Sequence, residues 1–152
     1  MSFLFNYLNI TNKYYKVFCI GRNKTGTTSI GKALTLLGFT LGKQSIAERL
    51  MEDWRKRDFW HIILYCRFAD AFQDVPFSLD YTYQVLDEAF PNAKFLLTIR
   101  NNSEEWYQSL VKFHTRIVKK NRLPTPDDLK NFPRVYKGWF WRQHQIIYGI
   151  DE

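Results

Sequence analysis

The sequence predicts an α/β fold, in which a central parallel sheet is flanked by helices to make three layers. Residues 16–20 and 94–99 are short, almost wholly apolar runs, which is the pattern of strands buried on both faces. Between and after these runs, apolar residues recur at the three- and four-residue spacing typical of helices. Strands that alternate with helices are joined by right-handed crossovers, and such connections produce a parallel sheet. The length of 152 residues predicts a single domain over residues 1–152, large enough to fold without disulfides or metal.

The first half of the chain is expected to begin with a strand at 16–20. Ile30, Leu34 and Leu37 then follow at helical spacing, and Gly38 is expected to end that helix because glycine readily adopts the left-handed conformation found there. The elements expected next are a short strand at 39–41, a helix over 46–54, a helical segment over 59–66, a strand over 71–75 that Pro76 stops, and a helix that Ser78 caps and Pro91 ends.

The second half contains the clearest candidate for a buried strand, at residues 94–99. Ser103 is expected to cap the next helix, and the two glutamates that follow it would lie in the first turn, where the helix dipole favours acidic side chains. The remaining residues are expected to be helical, with a break near Pro133 and an end at Gly149.

The composition favours an anionic partner and a reducing compartment. Lys and Arg number 22 against 15 Asp and Glu, a formal net charge of +7. Cys19 and Cys66 are the two cysteines and neither lies in a CxxC pair, which argues against a disulfide framework or a zinc site. No segment approaches the roughly 20 apolar residues of a membrane span, and the first ten residues lack the basic region of a signal peptide. We therefore expect a cytoplasmic protein without a membrane span. The sequence shows no known nucleic-acid-binding module, so we expect no nucleic-acid partner.

Residues 21–28 (GRNKTGTT) have the composition and context of a loop that binds phosphate. They follow a predicted strand and open a predicted helix. Small residues let the backbone curve around an anion, and the first N–H groups of the helix point at it. Lysine adds positive charge, and threonine hydroxyls add hydrogen-bond donors. The expected ligand contacts are Arg22, Asn23, Lys24, Thr25, Gly26, Thr27 and Thr28. The alternative is an ordinary turn between a strand and a helix.

The position of the lysine separates this loop from that of the nucleoside triphosphatases. Their pattern, GxxxxGK[ST], places a lysine directly after the second glycine, from where it reaches the β- and γ-phosphates. Here Thr27 follows Gly26, and Lys24 precedes that glycine by two residues. Among the predicted strand ends, Asp74 is the one candidate carboxylate for binding magnesium. The displaced lysine disfavours the alternative of a nucleotide kinase or NTPase.

Polar residues also follow two other predicted strands. In an open parallel sheet, ligands bind beyond the carboxyl ends of the strands, so residues 21–28 and Arg100 can face the same crevice, with Asp74 beside it. Arg100 is suited to grip a phosphate, with Ser109 on the following helix, or else forms a surface ion pair with Glu104. Asp74 is suited to accept a proton from an acceptor group, or else is only a turn residue.

Three segments together resemble those of sulfotransferases that use 3′-phosphoadenosine-5′-phosphosulfate (PAPS). Residues 16–39 (KVFCIGRNKTGTTSIGKALTLLGF) resemble the loop that binds the 5′-phosphosulfate. Residues 94–110 (KFLLTIRNNSEEWYQSL) are similar to the segment that binds the 3′-phosphate. Between them, residues 71–77 (AFQDVPF) look like the Asp-x-Pro element of the small bacterial-type branch.

The resemblance implies a P-loop three-layer fold and a role for each candidate residue. Lys24 would contact the bridging and sulfonate oxygens, and residues 25–28 would hold the 5′-phosphate. Arg100 and Ser109 would hold the 3′-phosphate, and Asp74 would be the base. The reaction implied is transfer of a sulfuryl group from PAPS to a hydroxyl or amine of an unknown small-molecule or glycan acceptor, without a metal.

Family members usually continue beyond the point where this sequence ends. The resemblance therefore predicts a domain that lacks the C-terminal part of the family. It also leaves open a second kind of protein, a non-catalytic nucleotide-binding or interaction protein derived from a sulfotransferase.

Overall fold

The computed structural model of the protein describes residues 15–118 and 122–149. The described residues fall into two compact units, one within residues 1–99 and the other within residues 100–152, and each is described by itself below. That residues 1–152 form one sulfotransferase-like domain lacking a C-terminal part stays a prediction.

The first unit is built on a three-stranded parallel sheet. Its strands are β1 (Val17–Cys19), β2 (Ala71–Gln73) and β3 (Lys94–Leu96). The order across the sheet is β2-β1-β3, and both neighbours run parallel to β1. This confirms the predicted α/β fold with a parallel sheet flanked by helices.

Helices and short turns connect these strands. The helices of the first unit are α1 (Thr27–Leu36), α2 (Gln44–Ala47), α3 (Met51–Arg55), α4 (Trp60–Tyr65) and α5 (Thr82–Ala89), with 3-10 turns at Glu48–Leu50 and Cys66–Phe68. Gly38 follows the end of α1 with a φ of 80°, as predicted. The prediction of one continuous α-helix over 46–54 is wrong. The 3-10 turn separates α2 from α3, and Leu50 ends that turn with a ψ of 3°, outside the α-helical region.

The core of the first unit is a cluster of phenylalanine rings around the central strand. Phe18 on β1 is fully buried. Its ring centroid lies 5.5 Å from that of Phe72 on β2, 5.6 Å from that of Phe95 on β3 and 5.9 Å from that of Phe77. Such pairs contribute about 0.5–1.5 kcal/mol each beyond the burial of area. These ring contacts therefore stabilise the packing around the three-stranded sheet.

Two expectations before and after β2 are wrong. Residues 39–41 do not form a strand. Leu41 makes one isolated parallel β-bridge to Ala71. The Asp70 side chain accepts a hydrogen bond from the backbone N–H of Thr40, so this N–H is not available for a hydrogen bond between strands. Ser78 does not cap a helix, because α5 begins at Thr82 and its cap position is Tyr81.

The strand predicted at 94–99 is shorter and more exposed than its apolar sequence indicates. β3 ends at Leu96 and lies at an edge of the sheet. Lys94 and Leu96 are exposed, as are Leu97 and Ile99 beyond the strand. The prediction that this strand is buried on both faces is therefore wrong. An apolar run predicts a strand, but it does not show whether other segments cover that strand.

The second unit is helical, with α6 (Ser103–Val118), α7 (Pro126–Asn131) and α8 (Trp139–Tyr148). Asn102, rather than the predicted Ser103, caps α6, since its Oδ1 accepts the N–H of Glu105 at 2.8 Å. The break predicted near Pro133 lies between α7 and α8, where Pro133 and Lys137 form an isolated antiparallel β-bridge. Gly149 ends α8 in the left-handed conformation, as predicted. No helix among the described residues has the length and apolar character needed to cross a membrane.

Candidate functional site

The candidate site lies at the side of the sheet where the carboxyl ends of the three parallel strands meet, here called the carboxyl edge. Residues 21–26 follow β1 and lead into α1, Asp74 follows β2 directly, and Thr98 lies two residues beyond β3. Because all three strands run in one direction, their carboxyl ends meet at this edge. The fold of the first unit thus brings the phosphate-loop candidate and Asp74 to the same edge, as predicted.

The loop after β1 packs tightly against Thr98. A Cβ atom added at Gly21 would lie 2.5 Å from the carbonyl oxygen of Thr98 and closer still to its hydroxyl. The hydroxyl oxygens of Thr25 and Thr98 are 2.7 Å apart, and the N–H of Thr25 donates to the carbonyl of Arg22 at 3.3 Å. Glycine at position 21 is therefore a steric requirement, and Thr25 ties the loop to the segment after β3.

The loop curls sharply just before α1. Lys24 has a φ of 65° and Gly26 a φ of 102°, so two residues of the loop are left-handed. The N–H groups of Ser29 and Ile30 donate to the carbonyl of Gly26, which starts the helix. The N–H groups that precede them have no intrahelical partner in any α-helix and carry the positive end of its dipole. A curled loop followed by a helix N-terminus is a geometry that favours a bound anion.

Gly21→Ala is expected to destabilise the first unit, because the new methyl group must displace the backbone of Thr98. Overpacking of this kind costs about 1–3 kcal/mol. Ser29→Ala, on the exposed side of α1, is the matched control and should change the free energy of unfolding by less than about 0.5 kcal/mol. Urea unfolding of both variants measures the difference. Equal stability of the two would contradict the tight packing of the loop on Thr98.

Arg22 is held by the turn that follows β2. Its Nη2 donates to Oδ1 of Asp80 at 3.3 Å, and both side chains are largely exposed. The backbone carbonyl of Asp80 accepts the indole N–H of Trp54 at 2.9 Å. The guanidinium of Arg57 lies 4.4 Å from the ring centroid of Trp54 and 4.5 Å from that of Tyr81. These contacts connect residues 74–81 to the phosphate-loop candidate on one side and to α3 on the other.

Asp74 occupies a strained position in this turn. Its φ is 59°, which is uncommon outside glycine. Its Oδ1 accepts the N–H of Val75 at 2.9 Å, and its carbonyl accepts the N–H of Ser78 at 2.9 Å. Gln44 on α2 donates from Nε2 to the carbonyl of Val75 at 2.9 Å. Asp74 therefore organises its own turn at the sheet edge, and such strain is found preferentially at functional sites.

Arg100 and Ser109 belong to the second unit. The Nη2 of Arg100 donates to the hydroxyl oxygen of Ser109 at 3.4 Å. Arg100 precedes the first residue of α6 by three positions, and Ser109 lies about two turns into that helix. The two side chains are therefore close along the chain. The structure thus places the guanidinium and the hydroxyl of the predicted 3′-phosphate pair side by side.

Three titratable groups of the first unit, Lys16, Tyr65 and Cys66, have shifted pKa values, and Lys16 directly precedes β1, at the end opposite to the carboxyl edge. The ammonium of Lys16 is buried and donates to the carbonyl of Ala69 at 2.7 Å, and burial lowers its pKa while Asp70 opposes that shift. Burial raises the pKa of the Cys66 thiol and raises the pKa of Tyr65 to about 12. A protonated, buried thiol is a poor nucleophile, so Cys66 is not a catalytic candidate.

Comparison with protein-family models decides the family. The model of the sulfotransferase domain matches residues 16–150. The chain belongs to the sulfotransferase domain family. No curated protein sequence gives a significant match to this sulfotransferase-domain chain. The matched range contains every predicted site residue, from Arg22 to Ser109. Within residues 15–118 and 122–149, no group of three or more His, Cys, Asp or Glu side chains could hold a metal ion.

Sequence reasoning missed two residues that contact the candidate site. Thr98 interrupts the apolar run before Arg100, and a lone hydroxyl in such a run was the available signal. Asp80 carries no local signal, because its role depends on Arg22, which lies 58 residues earlier in the chain.

Proposed function

We propose that the protein is a sulfotransferase that moves a sulfuryl group from PAPS to a hydroxyl or amine acceptor. The observation that carries the proposal is the loop at residues 21–26. In this loop the left-handed Lys24 lies two residues before Gly26, the cap residue of α1, at the carboxyl edge of the sheet. Membership of the sulfotransferase domain family supports it.

The loop and the start of α1 would bind the 5′-phosphate of the donor. The N–H groups at the helix start and the hydroxyls of Thr25, Thr27 and Thr28 supply donors for its oxygens. Arg22 and Asn23 complete the contacts of this loop. The ammonium of Lys24 is a compact charge suited to the bridging oxygen, on which negative charge develops as the sulfuryl group leaves.

Arg100 and Ser109 would bind the 3′-phosphate. The guanidinium and the hydroxyl lie within hydrogen-bond distance of each other, and both groups can donate hydrogen bonds to the oxygens of a doubly charged phosphate. Two separate phosphate sites would distinguish PAPS and its product, adenosine 3′,5′-bisphosphate (PAP), from nucleotides that carry a 5′-phosphate alone.

Asp74 would act as the general base. In the transfer, the acceptor oxygen or nitrogen forms a bond to sulfur, the bond from sulfur to the bridging phosphate oxygen breaks, and PAP leaves with that electron pair. The proton of the acceptor passes to the Asp74 carboxylate. A base positioned in this way contributes typically about 10²–10⁴-fold to the rate. The remaining catalysis is alignment and charge stabilisation, as in phosphoryl transfer.

PAP is expected to bind without metal about 10- to 100-fold more tightly than 5′-AMP. The extra phosphate makes charge-assisted hydrogen bonds worth about 1.5–3 kcal/mol, and each 1.4 kcal/mol is a factor of ten. Isothermal calorimetry measures both affinities, and Arg100→Ala should remove most of the preference. Arg134→Ala is a matched control in the second unit and should leave it unchanged. Equal affinities of the wild type for PAP and 5′-AMP would exclude Arg100 from the site, and magnesium-dependent ATP binding would revive the kinase alternative.

A further inference from the structure

Thr98 reverses the usual burial pattern in the segment that follows β3. Its side chain is half-buried, whereas Leu97 and Ile99 on either side of it are exposed. In a half-buried segment that alternates, the apolar side chains normally face the protein and the polar ones face solvent. Here the hydroxyl faces the protein and meets the loop after β1. The side chain of Thr98 therefore serves a polar contact rather than the burial of apolar surface.

The hydroxyl of Thr98 belongs to a chain of hydrogen bonds whose direction is fixed at one end. The hydroxyl of Thr25 donates to the backbone carbonyl of Arg22, an oxygen that cannot donate. A hydroxyl has one proton, so at the 2.7 Å contact between the two hydroxyl oxygens Thr25 accepts and Thr98 donates. The Thr98 oxygen accepts in turn from the buried thiol of Cys19, whose sulfur is 3.9 Å away. Thr98 is therefore the donor that holds the Thr25 oxygen.

This direction leaves the proton of Thr25 able to turn. Rotation about the Cβ–Oγ1 bond moves that proton away from the carbonyl of Arg22, while the oxygen keeps its place and its bond from Thr98. The backbone N–H of Thr25 still donates to the same carbonyl at 3.3 Å, so the carbonyl keeps a donor. Lys24 directly precedes Thr25, so the contact with Thr98 also restrains the backbone that carries this lysine.

We propose that Thr98 is a positioning residue for the 5′-phosphate of the sulfuryl donor. Its hydroxyl holds Oγ1 of Thr25 in place, and the proton of Thr25 turns from the carbonyl of Arg22 to a phosphate oxygen when the donor binds. A loop that is fixed before binding loses less conformational freedom on binding, which raises affinity. The link to the sulfuryl donor rests on the proposed function, whereas the hydrogen bond from Thr98 to Thr25 rests on the structure alone.

The variants Thr98→Ala and Thr98→Ser test this role, because they differ from each other only in the hydroxyl. The probes are PAP and inorganic pyrophosphate, which needs only the phosphate loop, and calorimetry measures both affinities. We expect Thr98→Ala to bind each probe about 3- to 10-fold more weakly than the wild type, which is the loss of one net hydrogen bond. Thr98→Ser keeps the donor and should stay within about twofold of the wild type. Equal affinities of the two variants would overturn the proposal.

A purely structural role of Thr98 predicts a different result. Thr98→Ala would then lower the urea midpoint of unfolding and leave the affinity of the folded protein for both probes unchanged, which would overturn the proposal. Thr35→Ala is the control, since its hydroxyl donates to the carbonyl of Gly31 within α1 at 2.9 Å. Removal of that hydroxyl should change neither affinity.

The Thr25→Ala background tests whether Thr98 acts through Thr25. Once the hydroxyl of Thr25 is removed, the addition of Thr98→Ala should weaken binding of either probe by less than about twofold, because residues that act through one contact are not additive. A further loss as large as in the wild-type background would show that Thr98 acts independently of Thr25, and it would contradict the proposal.

The two probes separate this proposal from the proposed function. If PAP fails to bind the wild type, while pyrophosphate shows the loss in Thr98→Ala and its recovery in Thr98→Ser, the sulfotransferase proposal is wrong and Thr98 remains a positioning residue of a phosphate loop. If PAP binds, and Thr98→Ala binds it as tightly as Thr98→Ser, the Thr98 proposal is wrong and the sulfotransferase proposal stands. If PAP binds and pyrophosphate does not, PAP alone decides by the same comparison. If the wild type binds neither probe, both proposals are wrong.

Discussion

Lys24→Ala is expected to abolish sulfuryl transfer and to weaken PAP binding by about 10- to 100-fold. The lysine would neutralise charge on the leaving phosphate oxygen, and charge-assisted hydrogen bonds of this kind contribute about 1.5–3 kcal/mol. The fold should survive, because alanine and lysine both carry a Cβ atom and meet the same left-handed backbone at φ 65°. A radiolabelled sulfate-transfer assay and PAP calorimetry measure the two effects, and thermal unfolding reports the fold.

Two further variants sharpen this test. Lys24→Arg should not restore transfer, since a planar guanidinium does not replace a compact ammonium close to a single oxygen. Lys56→Ala removes an exposed lysine that follows α3 and should leave both rate and affinity unchanged. An unchanged rate and PAP affinity in Lys24→Ala would remove this lysine from the mechanism.

Asp74→Asn is expected to lower the rate of transfer by about 100-fold or more, with nearly unchanged PAP affinity. The carboxylate accepts the acceptor proton in the proposed mechanism, and an amide cannot. Asparagine is also among the residues that best tolerate the left-handed φ of 59° at this position. Its Oδ1 can still accept the N–H of Val75, so the turn should keep its shape. The transfer assay over a panel of alcohols and amines measures the loss.

The control for this variant is Asp87→Asn, which makes the same chemical change on the exposed side of α5. Its activity should equal that of the wild type. If Asp74→Asn were equally active, Asp74 would be a turn residue only. If the wild type transferred sulfate to no acceptor and yet bound PAP tightly, the function would be that of a non-catalytic nucleotide-binding protein.

The sequence by itself determined those features that depend on neighbouring residues. The apolar run at 16–20 predicted β1, and the helical spacing after it predicted α1 and its end at Gly38. The order of strand, glycine-rich loop and helix placed residues 21–28 at a carboxyl end of a parallel sheet, which is where the structure has them. Such features are encoded locally, by the burial pattern of a few residues and by the conformational freedom of glycine.

Tertiary structure alone decided the contacts that shape the site. The hydroxyl of Thr25 meets that of Thr98 across 73 residues of sequence, and Arg22 meets Asp80 across 58. The exposure of β3 was likewise invisible in its apolar sequence: β2 also lies at an edge of the sheet and is buried, so exposure depends on which other segments cover a strand. Hydrogen bonds and packing between distant segments depend on three-dimensional position, and no local periodicity or propensity of the chain records which distant residue will be the partner.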